Sequence, residues 1–154
     1  MIIIISTIIN KKKYYAFKSY WPDENNPQIR YFRDSSKNLV DNFGNVHFSE
    51  TNYIDILSYR EHITNETDTL FTLSWKMVEG TSSISVPGGV FNVLNYQGII
   101  KTHLSSQSGV EIVERTLNKY YAPNVGMVLD TYCWITITYY VIERRLVRYH
   151  IEEE

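Results

Sequence analysis

Apolar and polar positions alternate with a period of two along much of this chain, which is the pattern of β-strands rather than helices. Thr131 to Ile142 alternates Thr/Cys/Ile/Ile/Tyr/Val with Tyr/Trp/Thr/Thr/Tyr/Ile, two apolar-leaning faces that predict one long central strand. Arg144 to Ile151 sets Arg145, Val147, Tyr149 and Ile151 against Arg144, Leu146, Arg148 and His150, predicting a final strand with a drier and a wetter face, joined to the first near Glu143. At the other end, Ile2 to Ile9 is β-branched almost throughout and reads as a strand buried on both faces.

Turn signals separate further strands. Asn10-Lys11-Lys12 divides Ile2–Ile9 from Tyr14–Tyr20 as a hairpin, and Trp21 to Pro27 is a polar loop bounded by two prolines. Short strands are expected at Gln28–Arg33, Asn38–Val40 and Val46–Phe48, around turns at Asp34-Ser35-Ser36 and Asn42-Phe43-Gly44-Asn45. Leu70–Val78, Ser83–Val86, Val90–Leu104 and Val110–Tyr121 follow, with Ser106-Gln107-Ser108-Gly109 as a hairpin tip. Ala122-Pro123-Asn124-Val125-Gly126 is a tight corner, where Pro123 fixes φ and Gly126 is free to take a positive one. Asn52–Glu61 is the single stretch with helical spacing, capped by Thr51 or Asn52.

Composition supports this pattern. Ile, Val, Thr and Tyr number 18, 12, 12 and 13, while Ala occurs twice, at Ala16 and Ala122. AT-rich coding favours several of the same residues, so the alternation carries more weight than the counts. The expectation is an all-β chain: a single antiparallel, strongly curved sheet or half-barrel of roughly nine to eleven strands with at most one short helix. At 154 residues it is read as one β-rich domain over 1–154, with a frayed acidic tail at 152–154. The apolar opening is followed, not preceded, by Lys11, Lys12 and Lys13, which is the reverse of a secretory signal, and no apolar run reaches the length of a membrane-spanning helix. A start lying upstream and a truncated start both remain open.

Net charge is −2, which gives no electrostatic case for nucleic acid or an anionic membrane. One cysteine, Cys133, excludes an internal disulfide and a cysteine-based zinc cluster, and its mid-strand place beside Trp134 suits a small core residue. His47, His62, His103 and His150 have no metal-binding spacing, and His47 and Glu50 would point to opposite sides of a strand. Neither a nucleophile elbow nor a phosphate-cradling glycine loop occurs, so no catalytic residue, metal or cofactor is assigned. Arg144, Arg145 and Arg148 read as a solvated, locally neutralised strand face rather than an anion site. Asn65-Glu66-Thr67 matches a glycosylation sequon that matters only in a eukaryotic secretory pathway.

Aromatic residues make up 14% of the chain, and Tyr14-Tyr15, Tyr120-Tyr121 and Tyr139-Tyr140 each put one ring on either side of a strand. Tyr120, Trp134 and Tyr140 are therefore the candidate ligand-binding residues, with cross-strand packing as the plainer role for such rings.

Three C-terminal segments also carry a resemblance: Ser85-Val86-Pro87-Gly88-Gly89-Val90-Phe91, then Tyr120-Tyr121-Ala122-Pro123-Asn124-Val125-Gly126-Met127-Val128, then Arg145-Leu146-Val147-Arg148-Tyr149. Together they resemble an uncharacterised family of small bacterial envelope proteins, many made as lipoproteins, whose folds are similar to the curved half-barrels of lipoprotein-carrier proteins. Pro87, Gly88, Gly89, Phe91, Tyr121, Pro123 and Gly126 are the structural residues of the motif. The resemblance implies an architecture and an envelope or periplasmic address, and it transfers no catalytic residue. The chain departs from it in lacking a signal peptide and a lipid-accepting Cys at its start. The resulting expectation is a non-enzymatic binding or scaffold protein that holds an apolar ligand or a protein partner on a curved sheet. Two alternatives stand beside it: a hydrolase with paired carboxylates in the sheet's cleft, and an interaction module pairing through an exposed strand edge. An N-terminal strand at a sheet edge would also favour a homodimer.

Overall fold

The computed structural model describes residues 2–19, 26, 28–64, 68–106, 109–133 and 141–149. It is all-β, with eleven strands in two antiparallel sheets where one was expected. Residues 1–52 and 53–154 form two compact units, one sheet in each.

The first unit is a five-stranded meander of β1 (Ile2–Ile9), β2 (Lys12–Ser19), β3 (Gln28–Asp34), β4 (Asn38–Asp41) and β5 (Val46–Ser49), neighbours in sequence being neighbours in the sheet. Its turns are where the sequence placed them. Ile9 faces Lys12 across a two-residue turn whose Asn10 and Lys11 have φ of 49° and 62°. Ser35 and Asn38 exchange backbone hydrogen bonds across Ser36 and Lys37, with φ of 53° and 67°. These are left-handed turns that follow the twist of paired strands. Among the described side chains of this sheet, Tyr14, Ala16 and Val40 are the buried apolar ones. Tyr15 is exposed, as expected for adjacent tyrosines on opposite faces.

The first sheet ends at Ser49, which is fully buried. Its Oγ accepts hydrogen bonds from the N–H groups of Thr51 and Asn52, at 3.2 and 3.0 Å. That side-chain turn bonds the backbone amides of the two residues and redirects the chain. No helix forms: residues 52–57 are irregular, and Ser58–Thr64 is strand β6. Ile54 and Ile56 lie exposed rather than forming the buried stripe a helix would need.

The second unit is a six-stranded meander of β6, β7 (Asp68–Val86), β8 (Gly89–Ser106), β9 (Gly109–Ala122), β10 (Gly126–Cys133) and β11 (Val141–Arg145). The turns at 87–88 and 123–125 follow the sequence reading, and Ser106 faces Gly109 where β8 and β9 were expected to meet. Gly126 has φ of +92°, which closes the corner after Pro123 at no Cβ penalty. The C-terminal reading needs correction. Cys133 faces Val141 and Leu129 faces Arg145 in an antiparallel pair, so 131–133 and 141–142 belong to two strands running in opposite directions, not to one. The last strand ends at Arg145; Leu146 keeps its register with one bond, its N–H donating to Val128 O, while its carbonyl turns to accept from Gly88 N–H, both at 2.9 Å.

One cross-strand row, Val78–Asn95–Tyr120–Leu129, divides this sheet. The pairing of β7 shifts just past Val78, and that of β10 shifts just before Leu129, so two bulges lie at the same level. Towards the Pro87 turn, Val93, Ala122 and Val128 are buried on one face and packed by Ile84, Phe91, Tyr120, Val125 and Leu146. On the far side of the row the buried residues Trp75, Met77, Tyr96, Ile100 and Leu117 share the other face. The buried side of the sheet thus changes at the bulges.

Lys11 occupies a left-handed position that favours glycine. Lys11→Gly is expected to raise stability by about 1 kcal/mol, read from the midpoint of a urea titration at unchanged slope.

Candidate functional site

The most concentrated chemistry of the described residues lies on the Trp75 face. Strand pairing sets Tyr96, Lys119, Asp130 and Arg144 side by side on β8, β9, β10 and β11. One row lower, Trp75 faces Gly98, which in turn faces Leu117. A Cβ on Gly98 would stand 2.9 Å from three atoms of the Trp75 ring system, so the indole lies flat over backbone that only glycine leaves open. In this position Trp75 stacks on Tyr96, with ring centroids 5.0 Å apart at 24°, and Lys119 Nζ sits 4.4 Å from its centroid.

The charges are tied into the same row. Asp130 is 2% exposed and accepts a hydrogen bond from the Arg144 guanidinium, which also lies 4.9 Å from the Tyr132 ring centroid. Burial holds the Tyr96 phenol well above its ordinary range, although the positive charge of Arg60 draws it partly back. Tyr96 is therefore a neutral phenol at physiological pH. A neutral phenol, a carboxylate covered by a guanidinium and an ammonium held over an indole thus share this face of the sheet.

The opposite face carries a neutral network. Asn118 Oδ1 accepts from Asn95 Nδ2 at 2.9 Å and from Gln97 Nε2 at 3.4 Å, while the Asn118 N–H donates to Thr131 Oγ1 at 2.6 Å. Carboxylates of the second sheet meet cations: besides Asp130 with Arg144, Glu114 lies 3.2 Å from Lys101 and Glu143 2.6 Å from Arg145. The arginine cluster at the C-terminus is thus neutralised within the sheet at two of its positions.

The three ligand candidates are not brought together by the described residues. Tyr120 is half-buried, packs against the Val93–Ala122–Val128 core and lies on the face opposite Trp75, while Trp134 and Tyr140 lie outside the described residues. The structural motif residues converge instead. Pro87 and Gly88 make the turn, with Gly89 at φ of 139°. Phe91 packs on the small core and meets Tyr149 edge-on at 5.8 Å, and Leu146 links Gly88 to Val128. Pro123 and Gly126 close the corner beside it, and Tyr121 falls on the other face, between Leu94 and Met127.

In the first sheet His47 meets Asp41 rather than Glu50, with Nε2 2.9 Å from Asp41 Oδ2. Asp41 Oδ1 also accepts from the backbone N–H groups of Phe43 and Asn45, each at 2.9 Å, which fixes the turn between β4 and β5. Burial pushes this carboxyl upward, but the hydrogen bonds from Asn45, His47 and Phe43 outweigh it and leave its pKa at about 2. A surface depression of about 300 Å³ lies on the β1–β2 hairpin, lined by Ser6, Thr7, Ile8 and Lys13. Among the described residues no three His, Cys, Asp or Glu side chains are placed to hold a metal ion, and no helix is long and apolar enough to cross a membrane. No protein-family model, no curated protein and no solved structure matches the chain.

Gly98→Ala is expected to force Trp75 off the sheet and to lower stability by about 1–3 kcal/mol, with loss of near-ultraviolet circular dichroism. Asp41 binds its proton less readily folded than unfolded. Its stabilising contribution is present above the ordinary value of 3.8 and is lost as pH falls through about 2. Denaturation midpoints measured across that interval should fall more steeply for the unaltered chain than for Asp41→Asn.

Proposed function

We propose that this protein is a non-enzymatic binding or scaffold protein of the bacterial envelope type, holding an apolar ligand or a protein partner on the Trp75 face of its six-stranded sheet. The observation that carries this reading is a second apolar stretch on that face. Leu94, Tyr121 and Met127 stand in one cross-strand row, with Val90 on the same face four residues before Leu94. Val90 and Met127 are exposed, at 71% and 39%. This row lies next to Tyr96, Lys119 and Asp130 along the same strands, so an exposed apolar patch runs into the cation-and-aromatic row. The pairing suits an occupant with an apolar body and polar groups at one end.

The envelope address and the curvature of a half-barrel are part of the proposal. They are supported by the sequence resemblance and by the meeting of its three segments around Leu146.

The test is native mass spectrometry of the purified chain, followed by denaturation and organic extraction. A stoichiometric extra mass that extracts as an apolar molecule is expected, and Met127→Lys should reduce its occupancy at unchanged circular dichroism. A bare chain under the same conditions would overturn the ligand reading and leave the protein partner to carry the proposal.

A further inference from the structure

Among the described residues the two sheets have four edge strands, β1 and β5 in one and β6 and β11 in the other, and three of them carry features that discourage pairing. β5 is four residues long. β6 bears Arg60 and Glu61 and has a register shift between His62 and Ile63. β11 is five residues long, three of them Glu143, Arg144 and Arg145. β1 differs on each count. It runs eight residues, IIIISTII, without charge or proline, and it matches β2 in unbroken register from Ile2↔Ser19 to Ile9↔Lys12. Among the described residues β2 is its one strand partner, and Ile5 and Ile8 are 48% and 77% exposed.

We infer that β1 is an assembly edge, and that its occupant is β1 of a second copy of this chain, paired antiparallel about a two-fold axis. The turn after Ile9 determines which backbone groups are available. Residues flanking a two-residue turn exchange hydrogen bonds, and the pattern then alternates along the pair. Ile9, Thr7, Ile5 and Ile3 therefore bond to β2, while Ile8, Ser6, Ile4 and Ile2 direct their N–H and C=O groups outward. A two-fold axis at Ile5 sets Ile2 against Ile8 of the second copy and Ile4 against its Ser6. Every outward group from Ile2 to Ile8 then has a partner.

A second copy fits better than a foreign strand on two grounds. The edge has no charge with which to select a partner of opposite sign, and self-pairing brings no like charges together. The same register also sets Ile5 against its own equivalent in a pair without hydrogen bonds, where side chains approach most closely. Pairing uses up the β1 edge of each copy, so this contact closes at two. The inference concerns the first sheet and is independent of a ligand on the second.

Sedimentation velocity of the full chain from about 1 to about 500 μM reads the assembly directly. A concentration-dependent monomer–dimer equilibrium is expected. Ser6→Lys places a charge on the edge, and Ser6→Pro removes an outward N–H without touching the β2 ladder. Each should weaken dimerisation at least about tenfold at unchanged circular dichroism. Hydrogen exchange of the unaltered chain adds a reading free of any folding defect: the Ile4, Ser6 and Ile8 amides should gain protection as concentration rises. A monomer throughout the range, a dimer unaffected by both substitutions, or open-ended polymers would each overturn the inference.

Discussion

The second sheet is organised around the absence of one side chain. Gly98 lets the Trp75 indole lie against the backbone of the neighbouring strand, and from that position the ring reaches both Tyr96 and Lys119. Any larger residue at 98 would lift the indole and separate these groups. The stack adjoins a row that strand register sets, from Tyr96 to Lys119, then to Asp130, then to Arg144. A backbone vacancy on β8 is thus linked through four strands to the burial of a carboxylate on β10.

The paired bulges give this sheet two different halves. Near the Pro87 turn the small core around Val93 is closed by Leu146 on one face, and the apolar row of Leu94, Tyr121 and Met127 occupies the other. Beyond the bulges that second face carries the buried aromatic strip. An antiparallel sheet commonly keeps one drier and one wetter side along its length. Here the drier side changes partway, so one face presents both an exposed apolar area and a buried polar-aromatic row. That juxtaposition gives the binding proposal its physical content.

Much of the strand content was legible because alternation and turn chemistry are local. Asn10-Lys11, Asn42 to Asn45 and Ala122 to Gly126 announce reversals within a few residues. The reversal between Cys133 and Val141 was not legible: the intervening Trp-Ile-Thr-Ile-Thr-Tyr-Tyr contains neither glycine, proline nor asparagine and continues the strand pattern. The helix expected from Asn52 does not form, and Ile54 and Ile56 on that stretch lie exposed instead of in a buried stripe. The site was less legible still. Asp130 meets a partner on the next strand, and Gly98 matters through a residue on the preceding one, so neither has a signature in local spacing. Tyr120 was singled out as a ring on a strand, and burial against Val93, Ala122 and Val128 is where the fold takes it.

Leu146 joins Val128 and Gly88 through two backbone hydrogen bonds, the first in register with the β10–β11 ladder and the second outside it. Tension applied from the C-terminal side would reach those bonds before the strand β11 that precedes them. The clasp would then act as a mechanical fuse, yielding first and leaving the register of β7, β8 and β9 unloaded. Its release would uncover the small core around Val93 and Val128 while the Trp75 stack stayed intact. Force on the C-terminus would therefore expose one end of the sheet selectively, converting a pull into a local change of surface.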